Sequence, residues 1–300
     1  MMLSVPQDDF DEIAQWHFAV GGLDTQQETL ELAGAIRLRR LKAFPTAERL
    51  AASLTSLPVA GAMAQYGAEV VRHELVIDAE RFEDQTERIF PTAEAVLAGF
   101  RIRTGAEIVC PAVCERSWAD LKTVPPNKCR AFHFERGLSH QAIVEPKLLL
   151  AEDLDWVRNN LGKIVELTGD DSFQTAVEAL CTYMLASNDR MKVAQLWAGV
   201  DAIFDLEYEL RYRLATLSAK LLGTTPLENR EVYADMKALY GERSKIIHGK
   251  QLAKKRDVHE EKVQQHIIRM RARLAQMLTK LISLGKVPTE EEFEQMLFEK

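Results

Sequence analysis

Arg243 and His248 lie five residues apart in the segment Leu239-Tyr240-Gly241-Glu242-Arg243-Ser244-Lys245-Ile246-Ile247-His248-Gly249-Lys250. An imidazole moves protons and a guanidinium stabilises charge building on a phosphoryl group. On a straight helix that spacing turns the two side chains apart by about 140°. Gly249 is expected to stop the helix, so His248 falls in its last turn, where the helix dipole favours a protonated imidazole. A neighbouring guanidinium opposes that protonation. An imidazole balanced between the two suits general acid or base work, although the spacing alone is also that of ordinary surface or capping residues.

The surrounding charge narrows the chemistry. Residues 235–285 hold twelve basic and five acidic side chains, a net +7, which leaves −14 for the rest of a chain whose total is −7. The overall charge excludes a protein that coats nucleic acid by bulk electrostatics, so a local basic stretch of this kind is where phosphate contacts belong. A solvated helix face is the alternative, and Arg269, Arg271 and Arg273 cannot all point one way. Tyr240 and Lys245, a turn or less from Arg243, are candidates for the same cleft, or else surface. Cys110-x3-Cys114 with Cys129-x3-His133 offers four candidate zinc ligands in two pairs, at wider spacing than the usual knuckle. The alternative is unlinked cysteines beside a strand histidine. Trp197 and Phe204, seven apart, read as core. No phosphate-binding loop follows Gly21-Gly22, and no nucleophile elbow occurs.

Proline placement organises the elements that must hold these residues. Eight of the ten prolines lie at or before Pro146, so long helices are expected only in the second half. The expected boundary gives a mixed α/β domain over 1–148 and an all-α domain over 149–300. In the first, Val70–Ile77 reads as a strand, and Phe132–Glu135 with Gln141–Val144 reads as a hairpin around Gly137. Leu30–Leu41 reads as a strand pair or short helix; Ala47–Leu57 and Thr92–Phe100 read as helices. In the second, apolar residues recur at three and four over Phe173–Leu185, Val193–Phe204, Leu206–Leu221 and Val263–Leu281, the stripes of amphipathic helices. Thr225-Pro226-Leu227-Glu228 and Thr289 with Glu292 read as capping boxes. Cys181 falls near an apolar helix face and reads as core. The 47% hydrophobic and 28% charged content is that of a folding chain. No apolar run approaches the roughly 20 residues of a membrane span. Met1–Asp9 lacks the basic and apolar regions of a signal peptide. With only four cysteines the expected compartment is the cytoplasm, with no membrane partner.

Three segments together carry a resemblance: Leu196-Trp197-Ala198-Gly199-Val200-Asp201-Ala202-Ile203-Phe204, Glu209-Leu210-Arg211-Tyr212-Arg213-Leu214-Ala215, and Leu239–Gly249 with its Tyr-x-x-Arg-Ser-x-x-x-His-Gly pattern. Over roughly residues 150–285 the chain resembles the HEPN superfamily, and within it the Apea-like domains of prokaryotic defence proteins. Its hallmark is an arginine, four to six residues, then a histidine. The resemblance implies an α+β chain whose C-terminal half is a HEPN-like helical bundle, dimerising so that two Arg/His motifs share one cleft. It implies a metal-independent endoribonuclease that needs no cofactor and leaves 2′,3′-cyclic phosphate ends. Arg243 and His248 would be catalytic, with Tyr240, Ser244, Lys245 and Lys250 as substrate contacts. Ser244 stands where many such nucleases carry Asn, Asp or His, and Lys250 stands where the nucleotidyltransferase-paired branch carries tyrosine. The partners implied are RNA, a second copy of the chain and, for residues 1–148, a phage-derived trigger. The alternative is a non-catalytic HEPN module that binds RNA or nucleotide, or mediates assembly.

Overall fold

The computed structural model describes residues 13–82, 85–135, 145–206 and 210–298. The chain divides into two compact units, residues 1–100 with 106–161, and residues 101–105 with 162–300. Among the described residues no helix is long and apolar enough to cross a membrane.

The first stretch of chain runs β1 (Gln15–Gly21), β2 (Leu23–Asp24), β3 (Thr29–Ala33), β4 (Ile36–Arg40), α1 (Ala47–Ser53), α2 (Leu57–Val70), β5 (Val71–Asp78), α3 (Gln85–Thr104), β6 (Ala112–Cys114), β7 (Ala131–His133) and β8 (Lys147–Leu148). Six strands form an antiparallel sheet in the order β3-β4-β5-β1-β6-β7, while β2 and β8 pair in parallel. The β-branched run at 70–77 becomes β5, a central strand whose Leu75 lies opposite Phe18 on one side and Leu38 on the other. Leu30–Leu41 is a strand pair rather than a helix. The second arm of the expected hairpin, Gln141–Val144, lies outside the described residues.

One expectation is corrected. The first half does hold a long helix, since α3 spans 20 residues with Pro91 inside it. An interior proline costs about 3 kcal/mol. Ile89, Val96, Leu97 and Phe100 on the same helix are almost wholly buried, and each such side chain contributes roughly 1.5–3 kcal/mol, which outweighs it. Of the two readings of Cys110, Cys114, Cys129 and His133, the four-ligand zinc set is not assembled among the described residues. Cys114 and Cys129 belong to an apolar cluster with Leu50, Met63 and Trp118, their sulfurs 3.1 Å apart. The Cys110 amide donates to Glu135 (2.6 Å), and His133 is half-buried opposite Ala112. Burial pushes the Cys114 thiol up, as for a thiol packed among apolar side chains. Among the described residues no three His, Cys, Asp or Glu side chains are grouped to hold a metal ion.

β5 also carries two polar residues into the interior. Glu74 accepts from the Arg39 guanidinium, from Ser117 Oγ at 3.1 Å and from the Trp118 amide at 3.2 Å. Its burial opposes ionisation, but His17 and Arg39 outweigh that and hold the carboxyl below its usual range. His73 sits beside Thr25 Oγ1 at 3.1 Å.

The remaining elements are helical: α4 (Ala151–Leu167), α5 (Asp171–Thr182), α6 (Asp189–Phe204), α7 (Leu210–Leu222), α8 (Pro226–Ile247), α9 (Arg256–Leu284) and α10 (Glu290–Phe298). Both capping boxes form, with Thr225 accepting from the Glu228 amide and Thr289 from that of Glu292. α9 packs against α5, α6, α7 and α8, burying Met270, Leu274, Met277, Leu278 and Leu281 completely.

Burial, with Arg40 and Arg72 nearby, lowers the His73 pKa to about 4 against the opposing pull of Asp24. The unfolded chain therefore takes up a proton that the folded chain refuses between about pH 6.5 and 4, and stability falls as pH falls through that window. Denaturant titrations at pH 7 and pH 4.5 are expected to differ by up to about 3 kcal/mol more in the wild type than in His73→Gln.

Candidate functional site

The site is assembled on α6, α8 and α9. Trp197 on α6 is fully buried and donates its indole N–H to His266 Nε2 on α9 at 3.1 Å. An imidazole nitrogen that accepts carries no proton, so the His266 proton sits on Nδ1, which faces Glu242 Oε2 of α8 at 3.0 Å. Burial lowers the His266 pKa despite Glu242. His266 is therefore a neutral link with both ring nitrogens committed, not a proton-transfer group.

The face of Trp197 carries the hallmark arginine. The Arg243 guanidinium carbon lies 5.3 Å from the ring centres of both Trp197 and Tyr240, and those two rings meet edge to face at 5.6 Å. Such stacking is worth roughly 0.5–2 kcal/mol. Arg243 Nη2 donates to Asp201 Oδ2 at 2.9 Å, while Arg243 Nε and Asp201 Oδ1 are buried with no partner among the described residues. Burial raises the Asp201 pKa; Arg243 pulls it back only in part. The Arg243 side chain is 21% exposed.

His248 lies elsewhere. It is the C-cap of α8, exposed, with backbone φ −84° and ψ 9°. Beyond it the Gly249 amide donates to the Ile246 carbonyl at 3.1 Å and the Lys250 amide to the Lys245 carbonyl at 2.7 Å. That is a Schellman end, and it requires the left-handed backbone that Gly249 adopts at φ +70°. The guanidinium expected beside His248 turns instead toward α6, where Asp201 holds it, and no hydrogen bond joins Arg243 to His248 among the described residues. Ser244, Lys245 and Lys250 are exposed, and their side chains make no hydrogen bond or ion pair with the described residues. Tyr240 is half-buried against Trp197 and Arg243.

Several cations of the basic stretch are engaged within its own fold. Arg269 and Arg273, four apart on α9, both bind Asp235 of α8, and Arg271 turns away to the Tyr183 hydroxyl at 3.1 Å. Burial disfavours the Asp235 charge, yet its two arginines hold the carboxyl below the usual range. The spacing argument missed Asp201, Glu242 and His266. Asp201 and Glu242 lie within segments already singled out, but nothing local marks which side chain meets a helix distant in sequence.

A methyl group at Gly249 would lie 3.1 Å from Arg190 Nη2, the far end of a flexible side chain, whereas one at Gly285, also left-handed at φ +72°, would meet nothing within 4 Å. Backbone strain then dominates at both. Gly249→Ala and Gly285→Ala are each expected to lose about 1–2 kcal/mol in urea unfolding, the two agreeing to within about 0.5 kcal/mol. The chain matches no protein-family model, no curated protein and no solved structure.

Proposed function

We propose that the helical half is a HEPN-type bundle of the Apea-like branch, and that the chain is a metal-independent endoribonuclease acting as a homodimer in defence against phage. The observation that carries this reading is an exposed imidazole, His248, fixed at a capped helix end beside Lys245 and Lys250, cations with no acidic partner among the described residues. The defence role rests on the sequence resemblance.

The chemistry follows from the residue types. The RNA 2′-oxygen attacks its own phosphorus, the bond to the 5′-oxygen breaks, and a 2′,3′-cyclic phosphate and a 5′-hydroxyl result. One imidazole takes the 2′-proton and another gives a proton to the leaving oxygen. Each chain presents one exposed histidine in this motif, so the second comes from His248 of the partner subunit. Arg243, held in orientation by Asp201 and two rings, stabilises the charge on phosphorus through the guanidinium N–H groups that Asp201 leaves open.

One observation favours a second reading. The Arg243 ion pair with Asp201 neutralises part of the charge that phosphate would need, as expected of a non-catalytic HEPN module that binds RNA or nucleotide, or mediates assembly.

Single-stranded RNA incubated with the purified protein in EDTA separates the two. The nuclease reading expects cyclic phosphate ends, and a loss of at least about 100-fold in rate for His248→Ala with RNA binding retained. Wild-type protein that binds RNA without cutting it, both alone and with phage-infected lysate added, establishes the module. Cleavage by the wild type and not by His248→Ala, appearing only after addition of phage-infected lysate, supports a nuclease that a phage-derived trigger releases.

A further inference from the structure

Beside His248 lies a cavity of about 530 Å3 formed by the start of α6, the residues that follow α8 and the first turn of α9. Its charged lining is sorted in an unusual way. Both carboxylates are already satisfied: Asp189 is bound by Lys192 at 3.2 Å and by the Gln264 amide at 2.8 Å, and Glu260 by Arg256 at 2.8 Å. The donors are not. Arg190 reaches across to Gly249, where the missing side chain gives its guanidinium room. Neither it nor Lys250 makes an ion pair or hydrogen bond through its side chain with any described residue. His259 accepts the Leu252 amide on Nδ1 at 3.1 Å, so in its neutral form the proton is on Nε2, a further donor with no acceptor among the described residues.

We infer that this cavity is a phosphate-binding subsite, in which Arg190, Lys250 and His259 hold a phosphoryl group next to the one served by His248. Two cations brought to one cavity repel each other until an anion lies between them, and a guanidinium fork with two further N–H donors matches the oxygens of a phosphate. Gly249 serves twice, ending α8 and leaving the space Arg190 occupies. That the phosphate is a flanking link of an RNA backbone rests on the nuclease reading; the phosphate site itself does not.

Arg190 and Lys250 are exposed, so Arg190→Ala/Lys250→Ala is expected to fold, which circular dichroism checks. Titration of the full-length protein with inorganic phosphate at constant ionic strength should move the Gly249 amide resonance saturably, and the double variant should weaken that binding at least tenfold. A labelled, uncleavable 2′-O-methyl single-stranded RNA should likewise bind the double variant at least tenfold more weakly, with a shallower salt dependence. Lys163→Ala, an exposed charge on α4, should change RNA binding less than twofold. No saturable phosphate shift, or one the double variant leaves unchanged, overturns the subsite. A phosphate shift lost in the double variant with RNA binding unaffected keeps the site and reassigns its ligand to a free phosphate compound. Failure of the wild type to cleave RNA, with phage-infected lysate as well as without, overturns the nuclease reading alone.

Discussion

The buried indole of Trp197 is the constraint on which the helical unit's geometry turns. Its N–H must be satisfied once removed from water, and an unpaired one would cost about 1–3 kcal/mol. His266 satisfies it, and in doing so has its own proton forced to Nδ1 and toward Glu242. One side chain of α6 thereby ties α9 to α8 at a stated register. The same indole supplies the face on which Arg243 lies and the edge that Tyr240 meets. These contacts add directional constraints to the apolar packing of Val232, Met236, Leu239 and Ile246 that buries α8.

Electrostatics then divides the basic segment into two populations. Arg269 and Arg273 are engaged by Asp235, and Arg256 by Glu260; both acids lie within the stretch, so its net +7 stands while these three cations are held locally. Around the end of α8, Lys245, Lys250 and, from α6, Arg190 have no acidic partner among the described residues. Arg243, the most conspicuous cation in the motif, belongs with neither group. Asp201 holds it, and burial raises the Asp201 pKa, so the pair is neither a screened surface bridge nor a fully compensated interior one. A guanidinium with a buried, unpartnered Nε is held in place with donor capacity left over.

The N-terminal unit solves a different problem. Its central strand β5 places a carboxylate in the interior and surrounds it with donors from β4 and from the segment at Ser117–Trp118. The cysteines that invited a metal reading are there part of the apolar packing. Cys114 and Cys129 face one another because two neighbouring chain segments bury them into the same cluster as Trp118.

The amino-acid sequence alone determined the helical stripes of the second half, both capping boxes and the end of α8 at Gly249, because each depends on residues within a few positions of one another. Helical pitch set Arg243 and His248 about 140° apart, but that Arg243 turns to Asp201 instead of neighbouring His248 was decided by the packing of α6 on α8. The sequence left unread the helix through Pro91, where burial of a distant face outweighs a local penalty. The identity of Arg243's partner, the commitment of His266 and the arrival of Arg190 beside Gly249 were decided only by the tertiary structure. Those contacts join residues 42, 69 and 59 positions apart, and which side chains meet across such intervals depends on how α6, α8 and α9 pack, a property no local pattern encodes.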